Sequence, residues 1–159
     1  MKRTRLLLFI GLMLLLAAGI AFGQRGTDIR ADYHIWSHVK TMVIEEGHPL
    51  FGPFGGIHHI YANKRALSGY RKQKFPDGAI LVFELYEAKR ENNAITEGPK
   101  KLTAYMKKNS ARFMETGGWG FSAFKAGSSE NFVKDPKKEC FDCHATRKDN
   151  DYVFSSPVK

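Results

Sequence analysis

The chain has 159 residues, of which 43% are hydrophobic and 26% are charged, and its formal net charge is +9 at pH 7. This length suits one domain with a sizeable core. The lysines and arginines are dispersed and often paired, which is typical of a solvated surface. The charge pattern therefore indicates a soluble surface, and we expect no nucleic-acid partner for a chain that begins, as described next, with an export signal.

The first 23 residues have the three-part pattern of a secretory signal. Lys2, Arg3 and Arg5 are basic, residues 6–20 are apolar, and Ala21-Phe22-Gly23 forms a small-x-small cleavage site. About 15 apolar residues fall short of the roughly 20 that a spanning helix needs. We therefore expect the signal peptide to be removed, leaving an exported domain over residues 24–159 without a membrane anchor.

A helix and a loop are predicted next along the chain. Residues 29–46 are predicted to be helical, with Asp28 as the cap and Gly47 as the end, because four apolar residues recur at helical spacing: Ile35, Val39, Met42 and Val43. The glycine- and proline-rich residues 48–56 cannot continue a regular helix. We expect a loop there that carries Phe51 and Phe54.

The middle of the chain favours an antiparallel sheet. Asn63 can start a short helix that ends at about Tyr70, Phe75-Pro76-Asp77-Gly78 is a turn, and residues 89–99 are predicted to form a polar loop. Four segments have strand composition: residues 57–62, 79–87, 102–107 and 119–125. Alternation along the second of them places three side chains on one face: Leu81, Phe83 and Leu85. The predicted fold class is α+β, mainly antiparallel sheet with flanking helices, in a single domain.

The only two cysteines lie in Cys140-Phe141-Asp142-Cys143-His144, a C-x-x-C-H sequence. This is the attachment sequence for a c-type haem, in which each thiol binds one vinyl group and the histidine becomes an axial iron ligand. A redox-active thiol pair, a disulfide or half a zinc site would not need the adjacent histidine. We predict one covalently attached haem c, with His144 as the metal ligand. Because this attachment takes place outside the cytoplasm in bacteria, the signal predicts a periplasmic protein.

Other side chains are candidates for contacts with such a haem. Arg147 follows the motif closely and can pair with a propionate group. No methionine follows His144, so a sixth ligand would have to come from upstream: Met42, Met106, Met114, His58 or His59. Core packing is the simpler explanation for each of these five residues. A six-coordinate iron would make the protein an electron-transfer cytochrome.

Several segments in order resemble the cytochrome P-460 and cytochrome c′-β group: Trp36, residues 57–63, Phe75-Pro76-Asp77-Gly78, Trp119, residues 140–144 and Asp151-Tyr152-Val153-Phe154. The resemblance implies a mainly antiparallel β fold, a homodimer and a five-coordinate c-haem on His144. Members of the P-460 branch oxidise hydroxylamine, with a lysine linked to the haem and a carboxylate that handles protons. At the matching positions this chain has Phe83 and Ala104, which can perform neither role.

The c′-β branch instead has a distal pocket closed by phenylalanines, for which Phe83 and Phe54 are the candidates here. An apolar cap favours small diatomic ligands, so the resemblance implies binding of nitric oxide, and of carbon monoxide as a second ligand. A hydroxylamine- or NO-oxidising enzyme and an electron-transfer cytochrome are the alternatives. The basic surface suits an acidic redox partner protein.

Overall fold

The computed structural model describes residues 33–157, and a five-stranded antiparallel sheet is their main element. Its strands follow one another in chain order: β1 (Ser37–Ile44), β2 (Gly56–Ala62), β3 (Ile80–Glu91), β4 (Ala94–Lys108) and β5 (Trp119–Lys125). The expected signal peptide lies outside the described residues. Within residues 33–157, no helix is long and apolar enough to cross a bilayer.

Short helices flank the sheet: α1 (Phe51–Phe54), α2 (Lys64–Lys72), and single 3-10 turns at Tyr33–Ile35 and Met114–Thr116. A C-terminal helical segment, residues 137–150, changes from a π-helical turn (Lys137–Phe141) through an α-helical turn (Asp142–His144) to a 3-10 helix (Ala145–Asn150). The predicted α+β class, with an antiparallel sheet and flanking helices, is confirmed.

The helix predicted over residues 29–46 is wrong in its described part, which is a 3-10 turn followed by β1. Four of the eight residues of β1 are β-branched, and such side chains favour a strand that pairs along its length with β2. The register shifts between His38 and Lys40, so Val39 is the extra residue of a bulge. Because of this bulge, apolar and polar residues do not alternate along β1, and the apolar residues occur at an apparent helical spacing.

The loop predicted over residues 89–99 is also wrong, because β3 and β4 continue there as a hairpin. Its turn is Asn92-Asn93, with φ of 52° and 61°. Asparagine tolerates this left-handed backbone, which two-residue hairpin turns of type I′ require at both positions. Polar residues fill this part of both strands because they are exposed on both faces.

Asn63 starts α2 as predicted and also connects the helix to the following turn. Its Oδ1 accepts hydrogen bonds from the backbone N–H groups of Ala66 (2.9 Å) and Ile80 (3.2 Å). Its Nδ2 donates to the carbonyl of Gly78 at 3.0 Å. One side chain thus joins β2, α2 and the start of β3.

The main core lies between one face of the sheet and the C-terminal segment. Leu81, Met106 and Phe121 are paired across β3, β4 and β5, and Cys140 and Tyr152 pack against this cluster. We call this the motif face of the sheet. Because side chains alternate along a strand, Phe83 and Leu85 belong to the same face as Leu81, as predicted.

The other face carries a buried carboxylate, that of Glu84, which is 1% exposed. Tyr33 Oη donates to Glu84 Oε1 at 2.5 Å, Lys100 Nζ donates to the same oxygen, and His34 Nε2 lies 3.2 Å from it. Burial alone would raise the pKa of Glu84, but hydrogen bonds from Lys100 and Tyr33 hold this pKa below its ordinary value. The ionised carboxylate therefore fixes the 3-10 turn at Tyr33 to β3 and β4.

We expect Glu84→Gln to lower the free energy of unfolding at pH 7 by about 1–3 kcal/mol, because the amide leaves Lys100 without its charged partner. Urea denaturation measures this loss. Glu97→Gln is the matched control, since its half-exposed carboxylate binds His59 on the same face, and it should stay within about 0.5 kcal/mol of the parent protein.

The effect of Glu84→Gln should depend on pH in one direction. The folded-state pKa of Glu84 lies below its unfolded value, so its stabilisation is complete above roughly pH 5 and is lost as the pH falls through the folded-state pKa. The difference between the parent protein and Glu84→Gln should therefore shrink in acid. Equal stability of Glu84→Gln and Glu97→Gln at neutral pH would contradict this assignment.

Candidate haem-binding site

The three residues of the C-x-x-C-H motif lie within one continuous stretch of helix. Cys140 is on the π-helical turn and is half-buried, whereas Cys143 follows on the α-helical turn and is exposed. Both thiols are free. Burial, with a contribution from Glu139, raises the pKa of Cys140 to about 11, so this sulfur is protonated at neutral pH.

His144 is held in one tautomer by a backbone carbonyl. Its Nδ1 lies 2.7 Å from the carbonyl oxygen of Tyr152. A carbonyl only accepts hydrogen bonds, so Nδ1 carries the proton and Nε2 keeps its lone pair. Burial lowers the pKa of His144, against the opposing effect of this hydrogen bond, and favours the neutral ring. A neutral imidazole oriented through its other nitrogen is the form that binds a metal ion.

Two aromatic rings enclose His144. The ring centroids of Phe121, on β5, and Phe154, after the C-terminal segment, each lie 5.1 Å from that of His144. The guanidinium carbon of Arg147 lies 5.9 Å from the centroid of the Phe154 ring, and Arg147 Nε is buried without a hydrogen-bond partner in the described part of the chain. The structure thus brings the predicted residue Arg147 to the edge of the His144 cluster.

The Tyr152 carbonyl is presented by a strained turn. Asp151 and Tyr152 have φ of 50° and 68°, a left-handed backbone conformation that residues other than glycine rarely adopt. Asp151 Oδ1 accepts from Lys108 Nζ at 2.7 Å, and its Oδ2 accepts from the backbone N–H of Phe75 at 2.8 Å. The carbonyl of Asp151 accepts from Trp119 Nε1 at 2.8 Å. These bonds from distant parts of the chain hold the strained backbone in place.

Phe54 and Phe83, the predicted distal residues, contact each other. Their ring centroids are 6.0 Å apart with an interplanar angle of 82°, an edge-to-face arrangement. Phe83 is paired with Ala104 on β4, and Ala104 is paired with Ala123 on β5. Across β3, β4 and β5, this row of paired residues therefore consists of one phenylalanine and two alanines. Because alanine side chains are short, the motif face is lower on β4 and β5 than at Phe83.

His58, which the sequence analysis weighed with His59 as a sixth ligand, is a further member of this cluster. Of the two adjacent histidines, His58 points to the motif face and is 3% exposed, whereas His59 points to the other face and binds Thr41 and Glu97. The His58 ring centroid lies 4.7 Å from that of Phe83, and its Nε2 donates to the carbonyl of Phe54. This nitrogen is therefore engaged by the protein. Only the β2 register distinguishes the two histidines.

The methionines weighed as sixth ligands occupy three different environments. Met114 is 78% exposed on a 3-10 turn, and Met42 is 46% exposed on β1. Met106 packs against the core between Leu81 and Phe121. These positions suit packing or solvent contact.

The donor set fits a haem better than a zinc ion. Two free thiols and an oriented imidazole occur in the attachment spacing, next to a shallow, mainly apolar face of the sheet. Within residues 33–157, no three His, Cys, Asp or Glu side chains converge as metal ligands usually do. An antiparallel sheet with such a motif packed on one face defines the class of β-sheet haem cytochromes.

The comparison with protein families agrees with this class. The family model described as Cytochrome P460 matches residues 30–155, and the chain belongs to this family of haem-binding cytochromes. The suspected relationship is thereby confirmed. A search of curated proteins found no match.

We expect Asp151→Asn to lower the free energy of unfolding by about 2–4 kcal/mol, because Lys108 and Asp151 form a buried ion pair, 8% and 15% exposed, and the variant removes the lysine's charged partner. Chemical denaturation measures the effect. Asp149→Asn, an exposed position in the same segment, is the matched control and should change stability little.

A double-mutant cycle separates the ion pair from other effects of Asp151. Lys108→Met combined with Asp151→Asn should recover part of the loss, giving a coupling of about 1 kcal/mol or more. Strictly additive effects would show that the pair does not hold the turn.

Proposed function

We propose that this protein is an exported mono-haem c-type cytochrome with five-coordinate iron that binds nitric oxide, and carbon monoxide as a second ligand. The observation that carries the proposal is the edge-to-face pair of Phe54 and Phe83 beside Ala104. We call Phe54 and Phe83 the phenylalanine cap.

Cys140 and Cys143 would attach one haem, because the chain has no further cysteine, and His144 would bind the iron through Nε2. The haem, when bound, supplies an iron that coordinates small diatomic molecules. Arg147 would pair with a propionate group at the edge of the site. The protein's part is to hold His144 at one angle and in one protonation state.

The phenylalanine cap would make the opposite side of the site apolar. Phenylalanine offers no hydrogen-bond donor, so a ligand that needs one, such as dioxygen, gains little there, whereas nitric oxide and carbon monoxide lose little. The carboxylate nearest to Phe83 along β3 is that of Glu84, which lies on the other face and is bound by Tyr33 and Lys100. On the motif face, neither Phe83 nor its partner Ala104 offers the proton acceptor that hydroxylamine oxidation needs.

A periplasmic location is part of the proposal, and the basic and apolar pattern of residues 1–23 supports it. A homodimer is proposed from the resemblance to the P-460 and c′-β group. An acidic redox partner remains compatible with the basic surface. Cell fractionation and light scattering of the purified protein test location and oligomeric state.

The first test is the absorption spectrum of the purified holoprotein, ferric and dithionite-reduced, before and after addition of nitric oxide. We expect an ordinary high-spin haem that takes up the gas. A strongly red-shifted ferrous Soret band would instead indicate a cross-linked haem and the hydroxylamine-oxidising alternative. A low-spin spectrum that is indifferent to nitric oxide would indicate an electron carrier.

The position of Phe83 is tested by Phe83→Lys, with Phe83→Leu as the control that keeps the side chain apolar. If Phe83 lies against the haem, the amine should shift the ferrous spectrum, whereas leucine should leave the band in place. A further variant, Phe83→Lys with Ala104→Glu, puts an amine and a carboxylate on directly paired residues. Unchanged spectra in all three variants would remove Phe83 from the site.

A further inference from the structure

His58 connects both residues of the phenylalanine cap. It donates from Nε2 to the backbone carbonyl of Phe54 and packs its ring edge-on against Phe83, at 4.7 Å and 73°. His58 itself is fixed in the middle of β2, paired with Met42 on one side and Leu85 on the other. One residue of a central strand thus contacts both the half of the cap on α1 and the half on β3.

The loop that carries Phe54 has little hydrophobic burial of its own. Leu50, Phe51 and Phe54 are 42%, 42% and 39% exposed, and α1 is a single turn. A short element with exposed apolar side chains opens readily unless other groups hold it. Two side chains of the sheet do so here, because His58 binds the carbonyl of Phe54 and Lys101 Nζ donates to the carbonyl of Gly55 at 3.1 Å.

The chemistry of His58 suits a fixed anchor. The carbonyl acceptor requires the proton on Nε2, and the buried Nδ1 has no partner among the described residues. A second proton on Nδ1 would therefore be a buried, unpaired donor. Burial lowers the pKa of His58 against the opposing effect of the bond to Phe54, and Lys101 adds to the lowering, so the neutral ring is favoured.

We infer that His58 is a positioning residue that holds the phenylalanine cap closed and thereby restricts the site to small ligands; the inference rests on the proposed function. Without its hydrogen bond, the loop is held by Lys101 alone of these two side chains, so Phe54 moves away from Phe83 more often and larger ligands gain access. His58 acts through Phe54 and Phe83 and does not itself bind the iron.

Four variants separate the hydrogen bond from the packing. His58→Leu removes both, and His58→Phe keeps a ring against Phe83 but has no donor. His58→Gln keeps an amide N–H at about the position of Nε2 and should rescue the bond. His59→Leu is the matched control, since this adjacent side chain lies on the other face.

Ligand discrimination is measured as the ratio of the affinities of the ferrous holoprotein for methyl isocyanide and carbon monoxide. We expect this ratio to rise about tenfold in His58→Leu and His58→Phe, because about one hydrogen bond's free energy no longer keeps the cap closed. The ratio should stay near the parent value in His58→Gln and His59→Leu. A parent-like ratio in His58→Phe would overturn the inference, and so would an equal rise in His59→Leu.

Amide hydrogen exchange of residues 48–58 gives a readout that does not depend on ligand binding. The N–H of Gly55, which donates to the carbonyl of Phe51, should exchange about tenfold faster in His58→Phe than in the parent protein. If the parent protein bound neither nitric oxide nor carbon monoxide, the proposed function would fail. Hydrogen exchange would still test whether His58 holds the loop. If it bound nitric oxide but exchange and affinity ratio were unchanged in His58→Phe, only the inference would fail.

Discussion

The backbone carbonyl of Tyr152 fixes the protonation and direction of His144, and the contacts that hold this carbonyl come from several parts of the fold. Lys108 at the end of β4, Trp119 at the start of β5 and the backbone of Phe75 all bind Asp151, the residue before it. Two successive left-handed residues would be unstable in an isolated peptide. The site is therefore formed only when the sheet and the C-terminal segment have come together. A folded helix over the C-x-x-C-H motif would not by itself orient His144.

Alternation along β3 separates two kinds of chemistry that are adjacent in sequence. Phe83 belongs to the motif face, and Glu84 lies on the other face with Tyr33 and Lys100. A slip of one residue would exchange the two, placing a carboxylate in the apolar cluster and a phenylalanine beside Lys100. An unpaired buried carboxylate is far less stable than a misplaced apolar group, so Glu84 fixes the register of the strand more strongly than Phe83 does. The polar cluster on one face thereby secures the apolar character of the other.

Much of the fold followed from local signals, and the failures have local causes. The strand at Trp119–Lys125 has clean alternation and was predicted to the residue, whereas the bulge at Val39 concealed β1 and the Asn92-Asn93 turn concealed a hairpin. The C-x-x-C-H motif was readable in the sequence, whereas only the family resemblance placed Phe54 and Phe83 together. The Lys108–Asp151 pair joins residues 43 positions apart, and the carbonyl of Tyr152 has no side-chain signature. Such contacts depend on the tertiary structure and cannot be predicted from the periodicity of the sequence.

The two sides of the site differ in how firmly the fold holds them, and this difference has a functional meaning. On the His144 side, a strained turn is retained by an ion pair and two further hydrogen bonds to a buried frame. On the other side, the loop with Phe54 depends on two bonds to backbone carbonyls, one of them from the exposed residue Lys101. In the proposed function, an iron ligand would have to keep its angle through every binding event, whereas a cap would have to open briefly to admit a gas. A firmly held His144 and a lightly held phenylalanine cap would meet both requirements, because local opening of the loop leaves the turn at Asp151 and Tyr152 intact.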